Sequence, residues 1–241
     1  VFGQDIVYVR PEDVGGKSLS LNREETHHLA RVLRKRIGDR FGAIDGVGRA
    51  YLCELRAVEE AGATGKILEV LPDHGESSIA LTLAIAPPKK SRYELILEKC
   101  TEIGVRCFLP LVTERTLSKE NSLRPERIAG ILLAAAKQSG RSRLPEYLPG
   151  QRFDVFLSKA SAFEVKLLAH EGEGRPGLTS GALAGKSRAV VCIGPEGGFT
   201  VPEVTAAQAA GFEIVGLGPR RLRSETAAIA SCSVLLCTQS S

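Results

Sequence analysis

Two short stretches hold most of the residues whose types and spacing could do chemistry. The first is Ile193-Gly194-Pro195-Glu196-Gly197-Gly198-Phe199-Thr200, and the second runs from Leu217-Gly218-Pro219 through Arg220-Arg221-Leu222-Arg223-Ser224-Glu225 to Thr226-Ala227. Gly194, Gly197 and Gly198 leave backbone that a flat ligand can approach, and they permit φ > 0 where it is needed. Arg220, Arg221 and Arg223 stand ahead of Glu225, so the second stretch either draws a polyanion or is a solvated basic turn. Neither stretch is a phosphate cradle. The spacing Gly194-x-x-Gly197-Gly198 departs from G-x-G-x-x-G, and no G-x-x-x-x-G-K-[ST] occurs. Thr200 and Glu203 form a T-x-x-E capping box, which occupies helix N-terminal donors that a phosphate would use. The chemistry expected is recognition of an uncharged ring system beside a basic loop.

The elements that must position these loops follow from periodicity. Short apolar runs over 189–193 and 214–217 read as buried strands; each breaks at a Gly-Pro pair and is followed by a helical pattern. Both loops therefore leave the carboxyl ends of strands, the edge where ligands bind in an open α/β sheet. Further strands are expected over 79–86, 105–112 and 165–169. A helix from a Ser91–Glu94 capping box to Gly104 and another over 125–139 fall between the first and the last of them. This alternation predicts a parallel sheet with helices on both faces. A final helix over 226–238 is apolar on almost every side; it must be buried, against its own core or another subunit.

Residues 1–72 read differently. Strands are expected over 5–9, 17–21, 40–44, 51–58 and 64–71, with Asp45-Gly46 as a hairpin signal and Asn22 and Glu25 capping a helix over 23–36. On that helix Leu29, Val32 and Leu33 can face a core, while Arg31, Arg34, Lys35 and Arg36 project elsewhere. Basic and acidic residues are equal in number over 1–72, so this cluster stands out, as an RNA phosphate contact or as a solvated face. His27 and His28 lack an acid or Cys partner at ligand spacing and read as helix residues. The polar stretch 73–78 is a linker, and 79–241 forms the second domain. There Lys89, Lys90, Arg92, Arg141 and Arg143 add further basic loops, to which Gly140 contributes by stopping the helix before it.

Composition bounds the function class. The 241 residues are 43% hydrophobic, enough for one large or two modest domains with real cores, and the net charge of +4 requires any nucleic-acid site to come from local clustering. Aromatics at 5% disfavour a reader that stacks single-stranded bases on rings. Cys53, Cys100, Cys107, Cys192, Cys232 and Cys237 lie in apolar runs without a C-x-x-C pair, so they read as reduced core thiols and not as a zinc site. No apolar run is long enough to span a bilayer, and no signal peptide opens the chain. A cytoplasmic protein without metal or membrane contact is expected.

The two glycine stretches resemble the signature motifs of the RsmE family, SPOUT-superfamily methyltransferases that act on N3 of a uridine in small-subunit (16S) ribosomal RNA. The likeness extends through Glu98-Lys99-Cys100-Thr101-Glu102-Ile103-Gly104-Val105, Glu114-Arg115-Thr116 and Lys137-Gln138-Ser139-Gly140-Arg141-Ser142-Arg143, all in family order. It implies an N-terminal PUA-like β-barrel and a trefoil-knotted SPOUT domain that binds S-adenosyl-L-methionine, as a homodimer. It also implies that Ile193, Gly194, Gly197, Gly198, Leu217, Gly218 and Leu222 contact that cofactor. Arg31, Arg34, Lys35, Arg36, Arg141, Arg143, Arg220 and Arg221 would then contact RNA, free or in the assembled small subunit. A uridine N3 must lose a proton before it is methylated. Glu225 could accept it with Arg223 stabilising the anionic ring, or Glu225 could only favour the N-terminus of the last helix; His170 and Glu171 are second choices. A ribosome-assembly factor without chemistry and a knotted tRNA 2′-O-methyltransferase remain the alternatives.

Overall fold

The computed structural model describes residues 5–116, 123–172 and 174–237. The chain divides into two compact units, Val1–Glu76 with Leu133–Leu144 and Ser77–Leu132 with Pro145–Ser241. The first passage from one unit to the other falls at 76/77, inside the stretch expected to be a linker. The return of 133–144 to the first unit has no counterpart in the sequence expectation.

The first unit is built on strands β1 (Ile6–Tyr8), β2 (Val14–Gly15), β3 (Ser18–Leu21), β4 (Arg40–Ile44), β5 (Arg49–Val58) and β6 (Ala63–Pro72). They form one sheet in the order β1-β4-β5-β6-β3-β2, antiparallel except for β1 beside β4. Val7, Leu19, Leu29, Phe41, Tyr51 and Leu55 fill its core. The β4–β5 turn is held by one carboxylate. Asp45 Oδ1 accepts the N–H groups of Val47, Gly48 and Arg49 at 2.9, 3.1 and 2.9 Å, and Oδ2 accepts the Tyr51 hydroxyl at 3.0 Å.

The helix expected over 23–36 is shorter. Asn22 caps α1 (Arg23–His27) through Glu25 N–H at 2.9 Å, and a wider π-type turn follows over His28–Val32. Leu33 N–H reaches back to His28 O, and Arg34 adopts φ +55°, which ends the helix. The wider turn buries Leu29 completely but leaves Val32, expected in the core, 59% exposed.

The second unit contains β7 (Ala80–Ile85), α2 (Lys90–Ile103), β8 (Cys107–Val112), α3 (Pro125–Ser139), β9 (Glu146–Tyr147), β10 (Gln151–Arg152), α4 (Phe153–Lys159), β11 (Val165–Ala169), β12 (Arg188–Ile193), α5 (Val201–Ala209), β13 (Glu213–Val215) and α6 (Ser224–Leu236). Residues 133–139 at the end of α3 belong to the first unit. The strands run parallel in the order β10-β8-β7-β12-β11-β13, with β9 also beside β8. Both faces are covered. Leu81, Leu83, Ile85, Ala189, Val191 and Ile193 pack with α2, α3 and α6. Ala84, Val190 and Cys192 turn to the opposite side, among Phe153, Phe156, Phe199 and Phe212. Burial on both sides is why β7 and β12 are nearly continuous apolar runs without alternation. Residue 238, at the end of the predicted last helix, lies outside the described residues.

One expected start signal does not form. α2 begins after Lys89 without a side-chain cap. Glu94 instead accepts Arg127 Nε and Nη2 at 3.0 and 2.6 Å, so the charged partner outcompetes the capping role. The Thr200–Glu203 box does form, with Glu203 Oε2 accepting Thr200 N–H at 2.8 Å.

Candidate functional site

The two glycine loops leave β12 and β13, the strands on either side of β11 in the sheet. Ala169, the last residue of β11, is in register with both Ile193 and Val215, so all three strands end at one level. His170 follows immediately and donates its N–H to Val215 O at 3.0 Å. Burial and the nearby Arg175 guanidinium hold the His170 imidazole below its ordinary pKa; Glu171 opposes them and Arg115 adds to them.

The first loop is braced by the segment after β8. Arg115 Nη1 donates to Gly197 O at 2.6 Å, and Glu114 N–H donates to Glu203 Oε1 at 2.9 Å. These contacts explain two glycines without a ligand. A Cβ on Gly197 would stand 3.2 Å from Arg115 Cδ, and one on Gly194 would stand 3.0 Å from the Phe199 ring. Gly198 and Gly218 differ from them. They adopt φ +69° and +97°, and a Cβ at either would meet no atom within 4 Å. Among the described residues the N–H groups of Gly218 and Leu222 find no acceptor. Open backbone at one glycine of each loop, with half-buried Leu217 and Leu222, fits a flat cofactor held by main chain and apolar contact.

Charge crosses between the loops. Arg92, in the first turn of α2, pairs through Nη1 with Glu196 of the first loop, and its Nε lies 3.6 Å from Glu225 Oε1 at the start of α6. Glu225 Oε2 is buried with no hydrogen-bond partner. Arg221 donates to Glu196 O at 3.4 Å and pairs with Glu171 at 3.3 Å. Arg220 and Arg223 are exposed, and neither forms an ion pair among the described residues. Arg92 and Arg115 are the residues that sequence reasoning undervalued. Arg92 was visible only as one cation in a basic stretch, and Arg115 only inside the Glu114-Arg115-Thr116 motif.

The remaining basic residues expected to contact RNA lie in the first unit. Arg31, Arg34 and Arg36 are exposed, whereas Lys35 is tied to Asp5 at 2.6 Å. Arg141 and Arg143, expected to point outward, do not. Arg141 is 1% exposed, and its Nη2 donates to Glu76 Oε2 at 2.9 Å. Arg143 donates through Nε to Asp73 at 2.7 Å and through Nη1 to Val47 O at 2.7 Å. Acidic residues of the stretch expected to be a free linker neutralise them, so Arg141 offers no charge to a solvent-side polyanion. Among the described residues no group of three or more His, Cys, Asp or Glu could hold a metal, and no helix is long and apolar enough to cross a membrane.

Comparison with known proteins agrees with this geometry. Residues 75–236 match an RNA methyltransferase domain family, and residues 21–68 match an RNA methyltransferase PUA domain family. The ribosomal RNA small subunit methyltransferase E of Synechocystis sp. is 38% identical over 95% of this chain and 77% of its own length. A protein of the same name from Neisseria gonorrhoeae, solved bound to S-adenosyl methionine, superposes with a TM-score of 0.82 at 30% identity, covering 96% of both chains. A methyltransferase structure from Legionella pneumophila with bound cofactor SAM superposes with a TM-score of 0.79 at 30% identity over 98% of both chains.

Proposed function

We propose a function from one established premise: the chain belongs to the ribosomal RNA small subunit methyltransferase E family. The chain is an S-adenosylmethionine-dependent methyltransferase that methylates N3 of a uridine in small-subunit ribosomal RNA. The observation that carries this reading is the convergence of two open-backbone glycine loops, from β12 and β13, on a carboxylate with one buried and unpartnered oxygen.

The cofactor supplies an electrophilic methyl group on a sulfonium. Ile193, Gly198, Leu217, Gly218 and Leu222 hold it, while Gly194 and Gly197 shape the first loop around Phe199 and Arg115. A site walled by apolar side chains and main chain excludes water and favours loss of positive charge from the donor. Glu225 takes the N3 proton and Arg223, one residue before α6, stabilises the charge left on the ring. In-line displacement needs little more than this positioning.

Arg31, Arg34 and Arg36 of the first unit and Arg220 and Arg221 of the second make the RNA contacts; the PUA domain match over the first unit supports that assignment. The six-stranded sheet of the first unit closes as a PUA-like barrel. The second unit carries a trefoil knot. The support is that α6 follows the edge strand β13 yet packs on α2, β7 and β12, so the chain must cross the ends of intervening strands. The half-buried Ile229, Ala230 and Val234 of α6 offer an apolar face for a homodimer. A ribosomal substrate puts the activity in the cytoplasm.

The test is incubation of the purified protein and S-adenosylmethionine with small subunits lacking the modification, followed by nucleoside analysis. N3-methyluridine is the expected product. A 2′-O-methyl product or no product refutes the reading.

A further inference from the structure

We propose that Arg92 is a positioning residue for the methyl transfer, and that its role is to aim Glu225 and not to bind RNA phosphate. This rests on the function proposed above. Of the basic residues at the start of α2, Lys89 and Lys90 are exposed and form no ion pair among the described residues, as a phosphate contact would require. Arg92 is different. Its side chain is about two-thirds buried, and its guanidinium is shared by Glu196 in the first glycine loop and Glu225 at the start of α6.

One planar cation thus joins the two loops through residues 133 positions apart in sequence, 92 and 225. A guanidinium suits the task because its nitrogens point in fixed, different directions: Nη1 engages Glu196 while Nε faces Glu225. The consequence at Glu225 is asymmetry. Oε1 lies 3.6 Å from Arg92, and Oε2 is buried without a hydrogen-bond partner. A buried carboxylate oxygen left unsatisfied is costly, and such groups concentrate where a substrate supplies the missing partner. The pairing with Arg92 engages Oε1 while Oε2 is left without a partner. When uridine N3–H meets Oε2, the N–H bond breaks and the proton passes to the carboxylate. The electron pair left on N3 forms the bond to the methyl carbon, and the pair of the broken carbon–sulfur bond remains on sulfur. The proton then leaves from Glu225 to water. Arg92 touches neither reactant; it fixes which oxygen faces the ring.

The experiment compares wild type, Arg92→Ala, Arg92→Lys, Glu225→Gln, the Arg92→Ala/Glu225→Gln pair and Lys90→Ala. Single-turnover rate, RNA affinity as a function of salt, and S-adenosylmethionine affinity by calorimetry are measured on each. Arg92→Ala is expected to lower kcat about 100-fold, within the range seen for general-base catalysis, with KM for RNA and the salt slope unchanged. Arg92→Lys, one charge without the fork, is expected to recover only part of that rate. The double variant is expected to be no slower than Glu225→Gln alone, since aiming a base that is absent has no effect. Lys90→Ala is expected to reduce the salt slope by about one, the change that Arg92→Ala does not show. Retained circular dichroism and cofactor binding in Arg92→Ala exclude misfolding. Arg92→Ala with normal kcat but a reduced salt slope overturns the proposal, as does an additive double variant. Wild type that forms no N3-methyluridine refutes the underlying function, whereas active wild type with an unaffected Arg92→Ala refutes this proposal alone.

Discussion

Replacing Arg141 by Ala separates the two roles that its motif could have. The Arg141 side chain is 2% exposed and that of Glu76 6%, with Nη2–Oε2 at 2.9 Å, and Glu76 Oε1 also accepts Arg143 N–H at 2.9 Å. Deleting one partner of a buried pair leaves an uncompensated charge and costs about 3–5 kcal/mol. Because the Arg143 N–H remains to Glu76, the lower end applies, about 3 kcal/mol. In a chain of this length each kcal/mol moves Tm by about 2–4 °C, so Arg141→Ala is expected to melt about 6–12 °C below wild type. Arg143 makes the comparison. Its partner Asp73 is 61% exposed, so Arg143→Ala loses a screened ion pair and the bond to Val47 O, about 1 kcal/mol in all and about 2–4 °C. Thermal melts by circular dichroism give the two values, and RNA affinity is taken at one temperature well below both. Arg141→Ala that melts within about 1 °C of wild type while losing tenfold in RNA affinity would refute the reasoning, because it would show a charge available to phosphate.

Other expectations follow from single positions. Gly218→Ala forces a side chain into φ +97°, and the strain of about 1–2 kcal/mol acts on the loop; calorimetry is expected to show S-adenosylmethionine binding weakened on the order of tenfold. All four tyrosines, Tyr8, Tyr51, Tyr93 and Tyr147, are raised above the ordinary phenol value, chiefly by burial. The fold thus favours their neutral form: this contribution to stability is complete below pH 10 and is lost as pH rises through the raised folded-state values, and absorbance at alkaline pH should show phenolate appearing later in the folded protein than in the unfolded chain, last of all at Tyr93. Burial pushes the Cys53 thiol up to about 12, Cys107 to about 11 and Cys192 higher still, and Cys232 is raised by its hydrogen bond with Cys100 and by burial. Cys237 is the exposed thiol, so a thiol reagent at pH 8 is expected to label it fast and the other five only on denaturation.

Strand placement was legible in the sequence wherever burial left a plain signal. The runs that became β7, β8, β11 and β12 are mostly apolar, and Gly104 and Gly140 end their helices at φ +115° and +74°. The short β9 and β10 and the helix α4 carry too few residues for a period to register. The Ser91–Glu94 box failed because Arg127, more than thirty residues away, competes for Glu94. The same blindness to distant partners affected the site. The motifs located both glycine loops, but Gly194 and Gly197 answer to Phe199 and Arg115, and Arg141 and Arg143 answer to Glu76 and Asp73. A run of cations reads as a surface until its counter-ions are known.

The position of α6 sets the order in which the second unit can be completed during synthesis. The helix covers α2, β7 and β12, but it emerges from the ribosome after all of them. Until then Leu81, Leu83, Ile96 and Leu97 lack part of their apolar cover, and the nascent unit is held open by sequence order alone. Contacts of such wide separation make closure slow, and the waiting surface is one that a chaperone would recognise. Glu225 is carried on that same helix, so the carboxylate proposed for proton transfer reaches Arg92 only in the step that closes the fold.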